Sequence, residues 1–144
     1  MASELRIKHV ATVECAKLLR HALSSFLNVL DMDPTSRDDI VTAAGEALVN
    51  ALEHAYTGQE LGTVELYAQE NGSEGVSIIV SDNGSFIVRD HTPGRGFGLP
   101  IVHAIAKTVS IETDKGTRVK MMFDAPNRTP SVQIVNEGDT SGNV

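Results

Sequence analysis

The spacing of apolar residues changes repeatedly along this chain, and each change marks an element. Leu5-Arg6-Ile7-Lys8-His9-Val10 alternates apolar and polar side chains, the period of a strand with one buried face. Over residues 13–30, Ala16, Leu19, Leu23, Phe26, Leu27 and Leu30 recur at helical spacing, which predicts an amphipathic helix. Asp33-Pro34-Thr35-Ser36 interrupts it, with Thr35 or Ser36 suited to cap a second helix from about residue 37 to about residue 56. That helix carries an apolar stripe of Val41, Ala44, Leu48, Leu52 and Ala55. Glu46, Asn50, Glu53 and His54 fall opposite the stripe, where periodicity alone predicts a solvated face.

Residues 63–68 and 76–80 read as strands, and the intervening Asn71-Gly72-Ser73-Glu74-Gly75 makes them an antiparallel hairpin. After a loop over residues 81–96, a helix is expected from residue 97 to about 107. Pro100 falls in its first turn, where a missing N–H costs little. Strands at 109–113 and 117–123 flank the turn Asp114-Lys115-Gly116. The order strand, helix, helix, hairpin, helix, hairpin predicts an α+β fold. It is a two-layer α/β sandwich with a mostly antiparallel, mixed sheet and helices on one face. Residues 1–124 are expected to form one domain. Residues 125–144 hold two prolines and few apolar side chains and are expected to be largely disordered.

Composition narrows the class. A chain of 144 residues suits a single core, and 41% hydrophobic with 22% charged residues is ordinary for a soluble domain. No apolar run approaches the roughly 20 residues that span a bilayer, and Met1-Ala2-Ser3-Glu4-Leu5 has no secretory pattern. The expected location is cytoplasmic, without membrane contact. Cys15, the one cysteine, forms no internal disulfide and reads as a small buried hydrophobe. A net charge of −7 argues against a nucleic-acid binder, which needs a basic patch. His9, His21, His91 and His103 show no metal-ligand spacing with one another or with Cys15, so no zinc site is indicated.

Four short strings hold candidate chemistry. Gly94-Arg95-Gly96-Phe97-Gly98-Leu99 places glycines at alternate positions just before a helix, offering N–H groups and a positive dipole end to an anion. It is neither a Rossmann fingerprint nor a Walker A loop, and by itself it reads equally as a flexible turn. Ser81-Asp82-Asn83-Gly84 sets a carboxylate at the end of an apolar strand, with Gly84 giving a ligand access to the backbone. An ordinary turn explains that string too. A buried carboxylate there would instead accept a hydrogen bond from the adenine amine, at the position where guanine presents a carbonyl oxygen. Such a pair is worth about 1–3 kcal/mol, or roughly ten- to a hundredfold for ATP over GTP.

Glu46 and Asn50 stand one helical turn apart on the same face. A carboxamide oxygen suits magnesium, and a neighbouring glutamate suits the deprotonation of a hydroxyl. The pair alone also fits a plain helix surface. Gly116-Thr117, in the last turn, needs no functional explanation on its own.

The joint order of these strings is more specific than any of them. A helix with E-x-x-x-N, a strand ending in D-x-G, G-x-G-x-G before a helix and a final G-T resemble the histidine-kinase-like ATPases, a superfamily shared by sensor kinases, DNA gyrase and MutL. The resemblance covers about residues 5–123. Within it, Glu46-Ala47-Leu48-Val49-Asn50-Ala51-Leu52-Glu53-His54-Ala55-Tyr56 is most similar to the anti-sigma-factor serine kinases.

The resemblance implies a Bergerat-type ATP-binding fold with ATP and Mg2+ as cofactors. Asn50 would hold the metal, Glu46 would be the catalytic base, and Asp82 would bind the adenine amine with Gly84 making room. Gly94, Arg95, Gly96 and Gly98 would form a lid on the phosphates, and Thr117 would join the network around Asp82. It further implies a homodimer that captures a sigma factor and phosphorylates an anti-anti-sigma protein on serine. Two departures bear on nucleotide affinity: Phe86 stands where D-x-G-x-G has its second glycine, and the loop over residues 86–93 is short.

Other readings stay open at this point. One is an ATP-gated binding module without kinase activity, another a switch kinase acting on a phosphatase pathway. A third is a detached sensor-kinase domain, for which His21 is the candidate phosphoacceptor.

Overall fold

A computed structural model describes residues 3–55, 62–83, 98–113 and 116–125. Its elements in chain order are β1 (Glu4–Val10), α1 (Val13–Val29), α2 (Pro34–Ala55), β2 (Thr63–Glu70), β3 (Val76–Asp82), α3 (Gly98–Ile105), β4 (Thr108–Glu112) and β5 (Thr117–Phe123). A 3-10 turn, Gly72–Glu74, links β2 to β3. The strands form one five-stranded sheet in the order β1-β2-β3-β5-β4. Every ladder among the described residues is antiparallel, so the sheet expected to be mostly antiparallel is antiparallel throughout these strands.

The cross-strand register explains the layers. Leu5, Ala68, Ile78, Met121 and Val109 share one row across the sheet, and Ile7, Leu66, Val80, Val119 and Ile111 share the next but one. The central members of both rows are buried. The alternate rows hold Arg6, Tyr67, Ile79, Lys120 and Ser110, then Lys8, Glu65, Ser81, Arg118 and Glu112. Because side chains alternate across a strand, one face is apolar and the other largely charged. The helices lie on the apolar face, where Leu19, Leu23 and Leu27 of α1 and Ala43, Ala44, Ala47, Leu48 and Ala51 of α2 complete the core. Three fully buried leucines at helical spacing stabilise α1 by burial, about 1.5–3 kcal/mol each.

The helix ends follow local chemistry. At the end of α1 the N–H of Met32 donates to Leu27 O at 3.3 Å, and that of Asp31 donates to Asn28 O at 3.1 Å. Asp31 has φ +60°, the left-handed closing residue of a Schellman arrangement, and Met32 is buried behind it. α2 starts earlier than its sequence suggested. The N–H of Ser36 donates to Asp33 Oδ2 at 3.1 Å, so Asp33 is the cap and Pro34 the first helical residue. The expectation that Thr35 or Ser36 caps this helix is therefore wrong. A proline needs no N–H partner at the first position, which lets the helix begin on it.

α2 is also more deeply set than a one-stripe reading implies. It packs against α1, α3, β2, β3 and β5. Ile40, Ala43, Ala47 and Ala51 are buried along with the predicted Ala44 and Leu48, whereas Val41 and Leu52 are only partly so. Glu46 and Asn50 are half-buried rather than fully solvated, and Glu53 is exposed. Residues 126–144 of the expected tail lie outside the described residues.

Candidate functional site

The row that ends the apolar face is different in kind. Val64, Asp82 and Thr117 lie opposite one another across β2, β3 and β5, on the same helix-facing side as the core rows. Asp82 is 6% exposed and Thr117 7%. A carboxylate and a hydroxyl thus take the positions that valine and methionine hold further along the same strands. Both make contacts within the protein.

Two neighbours hold this end of β3 in place. Gly116 has φ +85°, and a side chain there would begin 2.0 Å from the carbonyl oxygen of Asp82. The turn before β5 can lie this close to Asp82 only with glycine. Asn83 fastens the other side: the N–H of Thr63 donates to its Oδ1 at 2.8 Å, and its own N–H donates to Thr63 O at 3.4 Å. Reading D-N-G as a plain turn missed this tether, and reading Gly116 as punctuation missed the close approach. The signal for the second was present in the pairing of a turn glycine with a buried partner strand.

α2 is the common neighbour of the remaining parts. It packs on β3 and β5, which carry Asp82 and Thr117, and on α3, whose first residue is Gly98. Glu46 and Asn50 lie on it one turn apart, both half-buried. Glu46 also lines an open groove of about 420 Å³ between α1 and α2, together with Arg20, His21, Ser24 and Val49. Pro100 at the third position of α3 supplies no N–H, so the N–H groups that its first turn can offer are those of Gly98 and Leu99. Gly84, Gly94, Arg95 and Gly96 lie outside the described residues.

The donor set fits a nucleotide with its metal. A buried carboxylate beside a hydroxyl suits the edge of a purine, and a half-buried carboxamide suits an ion that also keeps water and phosphate oxygens. The profile of the family described as histidine kinase-like ATPase domain matches residues 10–123. The chain belongs to that family. The match runs from the end of β1 to the end of β5 and so includes each of these positions.

Among curated proteins, this histidine kinase-like ATPase is similar to the anti-sigma F factor of Clostridium perfringens, with 27% identity covering 84% of this chain and 96% of that one. The anti-sigma F factor of Clostridium beijerinckii is 24% identical, covering 84% and 92%. Among solved structures, the RsbU and RsbW domains of a Mycobacterium tuberculosis protein match with a TM-score of 0.69 and 26% identity. That match covers 88% of this chain and 34% of the other, so the present chain corresponds to about a third of the length of that solved chain. The histidine kinase domain of a blue-light activated kinase from Erythrobacter litoralis shares the fold, with a TM-score of 0.54 at 22% identity over 75% of this chain and 64% of that one. Among the described residues, no helix is long and apolar enough to cross a membrane.

Proposed function

We propose that this protein is an ATP-dependent anti-sigma factor with serine-protein kinase activity. In this reading it sequesters a sigma factor and phosphorylates an anti-anti-sigma protein on serine. The observation that carries the reading is the polar row Asp82–Thr117 on the core face of the sheet, beneath the helix that bears Glu46 and Asn50. Similarity to anti-sigma F factors along nearly their whole length supports the choice within the family.

Asp82 would accept a hydrogen bond from the adenine amine and Thr117 would support the same edge of the base, with Gly84 in the role that the family resemblance gives it. Asn50 would hold magnesium through its carboxamide oxygen, and Gly94, Arg95, Gly96 and Gly98 would be the phosphate-binding segment that the family resemblance implies. Bound magnesium would neutralise charge on the phosphate oxygens. Glu46 takes the proton from the acceptor serine as its oxygen bonds to the γ-phosphorus. The bond from that phosphorus to ADP breaks, and ADP carries the electron pair away. Such transfer needs positioning and one base more than covalent help from the protein.

The test is incubation with γ-labelled ATP and magnesium alongside candidate anti-anti-sigma proteins, scored as acid-stable phosphoserine. Glu46→Gln should lower transfer by about 10²- to 10⁴-fold while leaving ATP affinity intact. Tight nucleotide binding with no label on any candidate would instead identify an ATP-gated binder. Acid-labile label on His21 would identify a sensor-kinase activity.

A further inference from the structure

Gly45 stands in the interior of α2, one residue before Glu46, where glycine is a poorer helix former than alanine. Its environment gives the reason for a bare backbone. A side chain at this position would begin 3.0 Å from Arg20 Cδ, 3.6 Å from its Nη1 and 3.8 Å from its Cγ. The Arg20 stem therefore lies flat across α2 at Gly45. Both residues line the groove between α1 and α2 that also reaches Glu46. The groove's remaining walls, His21, Ser24, Val41, Thr42 and the exposed Val49, mix polar with apolar surface as a polypeptide does. In a chain of net charge −7, the guanidinium of Arg20 places a positive charge in this groove alongside the Glu46 side chain.

We propose that Gly45 is a specificity-determining residue for the polypeptide acceptor. By leaving α2 bare, it seats Arg20 against the helix and keeps open the groove along which the acceptor serine reaches Glu46. The proposal rests on the kinase reading above. Its occupant is a segment of a protein substrate, because the groove borders the residue assigned as the base.

The experiment compares wild type, Gly45→Ala and Gly45→Leu. One arm follows phosphorylation of the source organism's anti-anti-sigma proteins with labelled ATP. The other measures calorimetric binding of the same proteins in the presence of a non-hydrolysable ATP analogue. Gly45→Leu fills the channel and should raise KM for the protein acceptor by about tenfold or more, with kcat and ATP affinity within about twofold of wild type. Gly45→Ala meets the flexible Arg20 side chain at Cδ, which must shift by a few tenths of an ångström. It should raise KM by at least about twofold while the thermal midpoint stays level or rises.

An unchanged KM in Gly45→Leu, or a loss that falls on kcat or ATP affinity instead, overturns the proposal. Should Gly45→Leu fail to fold, an unchanged KM in Gly45→Ala does the same. If wild type binds an acceptor without labelling it, the kinase reading fails, and the same weakening in Kd still decides the groove. If wild type neither labels nor binds any candidate, both fail together.

Discussion

Replacing Gly116 with alanine separates the role of the site from the stability of the fold. The residue has φ +85°, and its added Cβ would lie 2.0 Å from Asp82 O, 3.0 Å from Asp82 C and 3.1 Å from Asn83 Cα. Carbon and carbonyl oxygen in contact ordinarily stand about 3.3–3.6 Å apart, so the two strand ends must part by more than about 1 Å. Left-handed backbone adds about 1–2 kcal/mol for a residue with a side chain. A total loss of about 2–4 kcal/mol follows, or roughly 6–16 °C in Tm for a chain of this size. Gly75 provides a matched control. It has φ +100°, and its Cβ would lie 1.9 Å from Phe123 O, but it precedes Val76 at the opposite end of β3. That end is about 20 Å from Asp82 at the usual rise of a strand.

Gly75→Ala and Gly116→Ala should therefore lose similar stability by circular dichroism melting. Only Gly116→Ala should also weaken ATP by about tenfold or more, measured calorimetrically at a temperature where both variants are folded, because only it moves Asp82. Equal ATP affinity in the two variants would refute the reasoning, as would a Gly116→Ala protein as stable as wild type.

Two further outcomes follow from local chemistry. Hydrogen bonding to Ser36, through its hydroxyl first and its N–H second, holds the Asp33 carboxyl below the usual carboxylate range. A depressed folded value means that its contribution to stability is complete above the unfolded value. It is lost as pH falls below about 4 and through the folded value. Urea melts of wild type should therefore show a loss over this window that Asp33→Asn, which keeps a capping oxygen without a titrating charge, shows less strongly. Burial pushes the Cys15 thiol up, against a smaller opposing effect of its hydrogen bond at Thr12. Iodoacetamide at pH 8 should alkylate Cys15 only after unfolding in urea, and rapid labelling of the native protein would contradict its burial.

Much of this was legible in the sequence because it depends on neighbours close along the chain. Alternation in residues 5–10 and helical spacing in residues 13–30 each fix a buried face, and β1 and α1 follow within a residue or so of the expected bounds. The four strings gave the order of the candidate site but not its geometry. Asp82 and Thr117 are 35 residues apart and meet only through the β3–β5 register, which depends on β5 entering between β3 and β4. The half-burial of Glu46 and Asn50 has a similar cause. A helix with neighbours on several sides lacks the simple two-sided wheel from which a solvated face was read. Asp33 was overlooked as a cap because Pro34 reads first as a breaker, although proline is at home in the first helical position. Gly45 was visible as a glycine inside a helical pattern, but its reason lies in Arg20, on another helix.

Calorimetric titration with ATP and magnesium, on wild type, Asp82→Asn and Asn50→Ala, tests the central claim most directly. The account predicts saturable heat for wild type and at least about tenfold weaker binding in each variant, with Asp82→Asn also narrowing the preference for ATP over GTP. No binding by wild type, or affinities unchanged in both variants, would contradict it.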